Sequence, residues 1–405
     1  MFEYFPGNYV WNLSVVAALN SGGFIDEVDR TCRPLRDVAT TNEDIGTHDF
    51  LTAWTGLVDQ LVAQAQEMEA TGRTRTAGQT YVRATNYLIN AERMQAAGSE
   101  GRLDTYRRCL ELMERAFELA DPATTRVVVP FRDTTLPAYY TQAPATANGP
   151  APVMIMFNGL DSTKEHIYCS GHGAELAARG ISTLMVDTPG TGEALRLQGL
   201  TSQIDTEEWA TACVDYLETR EDVDAARIGL AGWSLGGYYA PRAAAFEKRL
   251  ALVVAWGANH NWGAVQRRRL QKEGERPVPH YWEHVMWVWG HEDLDTFIDF
   301  ADDVHLDGVV EQITVPFLIV HGENDRQIPV DYAHRSYDQA VHSPKRQLRI
   351  FTKEEGGAEH IGLDHLPYVS AFVADWVAQT FQELTTGHVA SGQEAAVVSG
   401  RAPTK

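Results

Sequence analysis

Between residues 50 and 70 the apolar side chains Leu51, Trp54, Leu57, Val58, Leu61 and Val62 recur at spacings of three and four, which marks one buried helix face. Residues 80–95 repeat the pattern with Tyr81, Ala84, Tyr87 and Leu88. Residues 104–120 do so with Tyr106, Cys109, Leu110, Met113, Phe117 and Ala120, and carry Glu111, Glu114, Arg115 and Glu118 on the polar side. With a further helix near residues 10–19, these segments predict an antiparallel layer of four or five helices and no strands. From Thr125 onward the period changes. Short β-rich runs at 125–131, 136–140, 153–157, 183–187, 227–230, 250–255, 317–321 and 347–351 alternate with helical stretches, which predicts a mainly parallel sheet with helices on both faces. The first two runs are expected to form a hairpin around Asp133 and Thr134, held to the sheet edge by Pro130 and Pro137 because proline cannot donate to a ladder. The fold class expected is therefore α/β, behind an all-helical N-terminal domain. That domain covers 1–122 and the α/β unit 123–385, with a lid inserted at about 258–310 and a mobile tail rich in Gly, Ser, Ala and Thr over 386–405.

Composition narrows the classes of function. The chain of 405 residues is 44% hydrophobic and 22% charged, enough apolar material for a large core. Its 55 acidic against 34 basic residues give a net charge of -21, which repels phosphate backbones and anionic headgroups and argues against nucleic acid as a partner. The longest apolar runs, such as 250–258, reach about half the length of a membrane span. The opening Met-Phe-Glu-Tyr-Phe-Pro places an acid where an export signal places lysine or arginine. Cys32, Cys109, Cys169 and Cys213 are scattered with no C-x-x-C pair, which suits reduced packing thiols in a cytoplasm.

The strongest chemical signal is Gly232-Trp233-Ser234-Leu235-Gly236, a G-x-S-x-G directly after a predicted strand and before an alanine-rich helix. A serine on such a strand-to-helix turn has its hydroxyl exposed, with the helix N-terminus behind it to favour developing negative charge. The bare pentapeptide also occurs by chance on glycine-rich turns, so the order of partners decides. Asp325 follows the predicted strand at 317–321, and His360 lies in the loop after the last predicted strand, giving the order Ser, Asp, His. Glu323 is the rival acid and His365 the rival base, the latter at the start of the final helix. An oxyanion hole needs two backbone N–H groups: Leu235 supplies one, and Leu160, in Phe157-Asn158-Gly159-Leu160-Asp161, is the candidate for the other. Asn158 either braces that loop or is simply a turn residue.

Other patterns compete for attention. His280-Tyr-Trp-Glu-His284 fits H-x-x-E-H, but no third ligand follows at a recognisable spacing, and it lies among Trp256, Trp262, Trp282, Trp287 and Trp289. An aromatic pocket wall is the preferred reading, with a plain core under the lid as the alternative, and no metal or cofactor is expected. Asp187-Thr-Pro-Gly-Thr-Gly-Glu193 lacks the lysine and the spacing of a phosphate loop and reads as a tight turn. Arg267-Arg268-Arg269 reads as a solvated helix face. Trp233, Trp262, Trp282 and Trp287, with Trp54, Tyr81, Arg83 and Tyr87 of the helical layer, are the candidate substrate contacts; the layer's residues serve equally well as helix-on-helix packing.

The runs Asn158-Gly-Leu-Asp-Ser-Thr-Lys-Glu165, Asp187-Thr-Pro-Gly-Thr-Gly-Glu193 and Gly232-Trp-Ser-Leu-Gly-Gly237 behind an all-helical N-terminal region resemble the 2,6-dihydroxypseudooxynicotine hydrolase group of α/β-hydrolases. Fungal pigment-pathway enzymes that shorten polyketides and fermentation-respiration-switch esterase-like proteins are similar. The resemblance implies the α/β-hydrolase fold and a triad at Ser234, Asp325 and His360. It further implies N-terminal helices that cover the active site and help form a homodimer, and cleavage of a carbon–carbon bond next to a ketone. Three functions follow: a cofactor-free hydrolase removing an acyl carbon from an electron-rich aromatic or a β-diketone, a carboxylesterase for aromatic or bulky esters, and a non-catalytic scaffold, against which the intact triad argues. Lys164 and Glu165 serve either structure or substrate.

Overall fold

The computed structural model describes residues 1–40, 42–144 and 149–387; all of the expected tail from residue 388 on lies outside the described residues. Five helices open the chain: α1 (Tyr9–Asn20), α2 (Ile25–Cys32), α3 (Thr47–Ala70), α4 (Thr74–Glu92) and α5 (Arg102–Ala120). In α3 the predicted face is buried at Trp54, Leu57, Val58 and Leu61. The second half of α4 is buried all round, including Thr85, Asn86, Asn90 and Glu92, so a helix predicted as one-sided is sandwiched between two layers.

The strands are β1 (Thr124–Phe131), β2 (Thr134–Thr141), β3 (Ala151–Phe157), β4 (Ser182–Val186), β5 (Val223–Trp233), β6 (Leu252–Trp256), β7 (Phe317–Gly322) and β8 (Arg346–Phe351), in the spatial order β1-β2-β4-β3-β5-β6-β7-β8. β1 and β2 pair antiparallel at one edge as the expected hairpin, β2 meets β4 antiparallel, and the remaining pairs are parallel. β5 outruns its predicted span because it is paired on both sides, to β3 and to β6. Between the strands lie α6 (Lys164–Cys169), α7 (His172–Ala177), α8 (Gly192–Arg196), α9 (Glu207–Glu218), α10 (Gly236–Phe246), α11 (Trp262–Leu270), α12 (Tyr281–Trp289), α13 (Leu294–Ala301) and α14 (Asp331–Gln339), and α15 (Leu366–Thr386) follows β8.

Strand alternation sorts the core into two clusters. On one face Val153, Ile155, Leu230, Val253 and Ile319 pack with α9, α10 and the α11–α13 segment. On the other, Met154, Met156, Met185, Val254 and Val320 share a single cluster with α7, α15 and the helices of the N-terminal layer. The change of period near residue 122 is thus a change of secondary structure and not a break in the core. Among the described residues no helix is long and apolar enough to cross a membrane.

Candidate active site

All parallel strands point their C-terminal ends to one edge, where such sheets leave a crevice. Ser234 follows β5 on the turn into α10 with φ of 58°, a left-handed conformation that costs a non-glycine residue energy and is maintained here by its surroundings. Its N–H donates to Trp256 O (2.8 Å), and Gly237 N–H donates to Ser234 O (2.8 Å). The turn is tight enough that a Cβ on Gly232 would lie 2.1 Å from Gly236 O.

His360, in the turn after β8, meets Ser234 Oγ through Nε2 at 2.7 Å and Asp325 Oδ2 through Nδ1 at 2.8 Å. Asp325, in the loop after β7, is fully buried, and its Oδ1 accepts the backbone N–H of Gln327 (2.8 Å) and Ile328 (3.0 Å). Burial alone would raise its carboxyl; His360, His321 and the backbone N–H donor outweigh burial and hold it below the ordinary range. Glu323 turns elsewhere, accepting Lys353 N–H at 2.6 Å. His365 starts α15 with its ring 5.3 Å from that of Tyr368.

The loop after β3 brings Gly159 against Ser234: a Cβ there would stand 2.8 Å from Ser234 Cβ. Among the described residues the N–H groups of Leu160 and Leu235 have no hydrogen-bond partner. Asn158 braces this loop, its amide donating to Val186 O (3.1 Å) and Asp187 Oδ1 (3.2 Å) while Ser162 Oγ donates to its Oδ1 (3.2 Å). His284 approaches from α12, with Nε2 3.3 Å from Leu160 O, whereas His280 precedes that helix with φ of 51° and lies 3.5 Å from Thr47 Oγ1. The H-x-x-E-H pair therefore splits between two tasks.

A cavity opens at Ser234 and His360. Leu13 and Ala17 of α1 and Asn90 of α4 contribute to its wall, with Ser21 just beyond α1 and Arg93 just beyond α4. Asp161, Ser162, His166, Trp233, Pro277 and Ile361 also line it. Arg93 ties the helical layer to the loop after β3, pairing with Asp161 (Nε to Oδ2 2.9 Å) and donating to Ser14 Oγ (2.7 Å) and Pro277 O (2.8 Å). Burial opposes the charge on Asp161, but Arg93 outweighs it and lowers the carboxyl to about 2.

Of the eight candidate substrate contacts, only Trp233 lines this cavity. Trp54 is spent on packing between Phe50 and Tyr87, with centroids 5.5 and 5.2 Å away. Arg83 Nε and the Tyr87 hydroxyl both bind Glu27 Oε2, at 3.0 and 2.7 Å, and the Tyr81 hydroxyl lies 3.5 Å from Glu69. Trp262 packs on Trp289 and Phe297, Trp282 on Tyr281, and Trp287 under the guanidiniums of Arg102 and Arg196 at 5.0 and 5.8 Å. The α11–α13 segment meets the cavity only through the loop residue Pro277. Arg269 likewise departs from the expected solvated face: it is buried over the Tyr281 ring, while Arg267 and Arg268 are half exposed.

Lys164 and Glu165 are fully buried and touch no part of this cavity. Lys164 Nζ binds Glu165 Oε1 (2.8 Å), Asp187 Oδ2 (2.8 Å) and Glu193 Oε2 (3.1 Å). The Asp187 carboxylate also accepts the N–H groups of Lys164 (2.7 Å) and Glu193 (2.8 Å), which makes the glycine-rich run at 187–193 a turn wrapped around an aspartate. Nearby, Glu92 of α4 receives Arg102 at 2.7 Å and Arg196 at 2.8 Å; burial opposes its charge, yet the two guanidiniums hold it at about 2. Sequence reasoning missed Asn90, Arg93 and His166. The signal was present in Asn86, Asn90 and Arg93, a polar stripe at spacings of four and three on an otherwise buried helix.

Residues 46–273 match the family model described as Esterase FrsA-like, and residues 170–384 that of the prolyl oligopeptidase family. The 2,6-dihydropseudooxynicotine hydrolase of Paenarthrobacter nicotinovorans is 27% identical over 87% of this chain and 92% of its own length. The alpha/beta hydrolase ucsC of Acremonium sp is 29% identical over 74% of this chain, which spans only 63% of that relative. A crystal structure of the 2,6-dihydroxy-pseudo-oxynicotine hydrolase superposes with a TM-score of 0.71 at 23% identity, over 90% of this chain and 95% of the other. The eight-stranded sheet, the helices around it and both family models agree, and the chain belongs to the α/β-hydrolases, as a serine hydrolase.

Proposed function

We propose that Ser234, His360 and Asp325 act as nucleophile, general base and orienting acid, and that the enzyme cleaves the carbon–carbon bond beside a ketone in an aromatic or polyketide-like substrate. The observation that carries this reading is the pair of hydrogen bonds centred on His360, 2.7 Å to Ser234 Oγ and 2.8 Å to Asp325, beside two unpaired backbone N–H groups. Ser234 Oγ adds to the ketone carbon while His360 Nε2 takes its proton, and the oxyanion falls to Leu235 and Leu160 N–H. Collapse breaks the bond to the α-carbon. Its electron pair becomes an enolate delocalised onto a β-oxygen, which a second carbonyl or the keto form of a ring phenol supplies. His360 returns the proton to the enolate, and water, activated by the same histidine, releases the acyl group from Ser234.

The family resemblance and the 27% identity to a 2,6-dihydropseudooxynicotine hydrolase support an activated ketone. A carboxylesterase is the second reading, favoured by the match to Esterase FrsA-like, because an ester runs through the same tetrahedral intermediate with an easier leaving group. Purified enzyme is to be assayed against trihydroxyacetophenone, a β-diketone and nitrophenyl acetate, with products identified by mass. Acyl release from the ketones is expected; turnover of the ester with no cleavage of either ketone hands the case to the esterase.

A further inference from the structure

Asn90 Oδ1, His166 Nε2 and Trp233 Nε1, on side chains that line the active-site cavity, are buried and without a hydrogen-bond partner among the described residues. The sense of the first two is fixed by what the rest of each side chain does. Asn86 Nδ2 donates to Ala18 O at 2.9 Å, which leaves Asn86 Oδ1 an acceptor; that oxygen and Asn86 O take the amide hydrogens of Asn90 at 3.1 and 2.8 Å. Asn90 Oδ1 is thereby left as an acceptor with nothing to accept. His166 Nδ1 accepts the Thr163 N–H at 3.2 Å in the capping box of α6, so the neutral ring carries its proton on Nε2 as a donor. Burial, reinforced by the Arg93 guanidinium, lowers this histidine to about 4 and keeps it neutral through the working range.

Unpaired buried polar atoms bear the full loss of their hydration, so native structures seldom leave them without a use. Here two of opposite sense belong to side chains that line the cavity at Ser234. A site built this way rejects a substrate that lacks the matching group far more strongly than an apolar wall rejects a misfit.

We propose that His166 and Asn90 read the β-oxygen of the leaving half of the substrate, His166 Nε2 donating to that oxygen and Asn90 Oδ1 accepting its hydrogen in the enol or phenol form. The assignment rests on the acyl-cleavage reading and extends it to a substrate feature. As the carbon–carbon bond breaks, the electron pair moves onto the oxygen that faces His166, and the donor bond strengthens as charge arrives. An ester leaves on oxygen and needs no such partner. His166 and Asn90 are positioning residues; the proton traffic stays with His360.

Binding to the Ser234→Ala protein separates this proposal from the reaction itself. Trihydroxyacetophenone, trimethoxyacetophenone and acetophenone are titrated against that parent and against the same protein carrying His166→Leu or Asn90→Leu. His166→Leu is expected to weaken trihydroxyacetophenone at least about tenfold, and acetophenone by less than about threefold. Asn90→Leu, which disturbs no helix cap, is expected to weaken the trihydroxy ligand but not the trimethoxy one, which has no hydrogen to give. His166→Gln keeps an acceptor for Thr163 N–H, as glutamine does at that capping-box position, and serves if the leucine variant fails to fold; it is expected to weaken the trihydroxy ligand selectively as well. Equal weakening of all three ligands, no weakening, or no binding of trihydroxyacetophenone to the parent overturns the proposal. If the wild-type enzyme cleaves esters alone while the selective losses appear, the acyl-cleavage reading falls and the recognition pair stands; if ketones are cleaved and the losses are absent, the reverse holds.

Discussion

The two halves of the cavity wall are built on opposite rules. On the sheet side, Ser234, His360 and Asp325 sit at strand ends and are bonded to one another, each group fixed by the next. On the cover side, Asn90 of the helical layer, and with it His166 of α6 in the sheet unit, are hydrogen-bonded through the rest of their side chains and leave one polar atom unpaired. In the proposed roles, the groups that make and break bonds need a partner to pass a proton to, while the groups that choose a substrate need a vacancy for it to fill. The difference implies that damage to the sheet side removes turnover, and damage to the cover side changes stability and selectivity.

Ser234→Ala is the severest test of the sheet side. Turnover is expected to fall by about 10⁵-fold or more with the melting temperature close to that of the parent, since a half-buried hydroxyl at the cavity contributes little packing. Substantial residual activity in a folded variant breaks the assignment. Asp325→Asn comes next, with a loss of about 10⁴-fold because an amide leaves the imidazole in the wrong tautomer. Glu323→Gln, whose carboxylate is engaged by Lys353 N–H instead, should change kcat less than about threefold, and a crippling effect there would transfer the acid role to Glu323.

On the cover side the expected effect is mainly on stability. Arg93→Met leaves Asp161 buried without its cation and should cost about 3 kcal/mol in urea unfolding, while kcat measured on folded protein falls far less than in the sheet-side variants. The smallest effect is an acid dependence. Asp161 and Glu92 both have carboxyls lowered to about 2 in the folded chain. Their stabilisation is fully present above the ordinary carboxylate range and is lost as the pH falls towards 2. Melting temperature should decline from pH 5 to pH 3, and Arg93→Met should flatten part of that decline. An unchanged slope would mean that Asp161 does not owe its charge to Arg93.

The sheet side was legible in the sequence and the cover side was not, for a physical reason. A serine on a strand-to-helix turn needs glycines at fixed offsets, and the candidate acid and base follow later strands in a set order, so Gly232, Ser234, Asp325 and His360 announce themselves by spacing along the chain. The strands and long helices were legible for the same reason, since each is a local period. The reach of α4 into the cavity depends on which of its faces the sheet covers, a tertiary fact. Aromatic side chains then misled: Trp54, Trp262 and Trp287 are large and look suited to a ring-binding wall, yet each is consumed by neighbours of the same kind or by buried guanidiniums. Lys164 illustrates the remaining difficulty. A lysine and a glutamate side by side left structure and substrate as open alternatives, and only the folded chain gathers Asp187, Glu193 and Tyr139 around them.

The Glu92 carboxylate, gripped by Arg102 from its own layer and Arg196 from the sheet unit, has a bearing on how such enzymes diversify. A cover exchanged between relatives brings its own acid or lacks one, and the recipient's arginine at the position of Arg196 is then either neutralised or stranded in the interior. Successful recombinants are therefore expected to inherit the two segments together or to change both sides at once. The buried ion trio acts as a compatibility lock, restricting which covers, and with them which substrate preferences, a given catalytic unit can acquire.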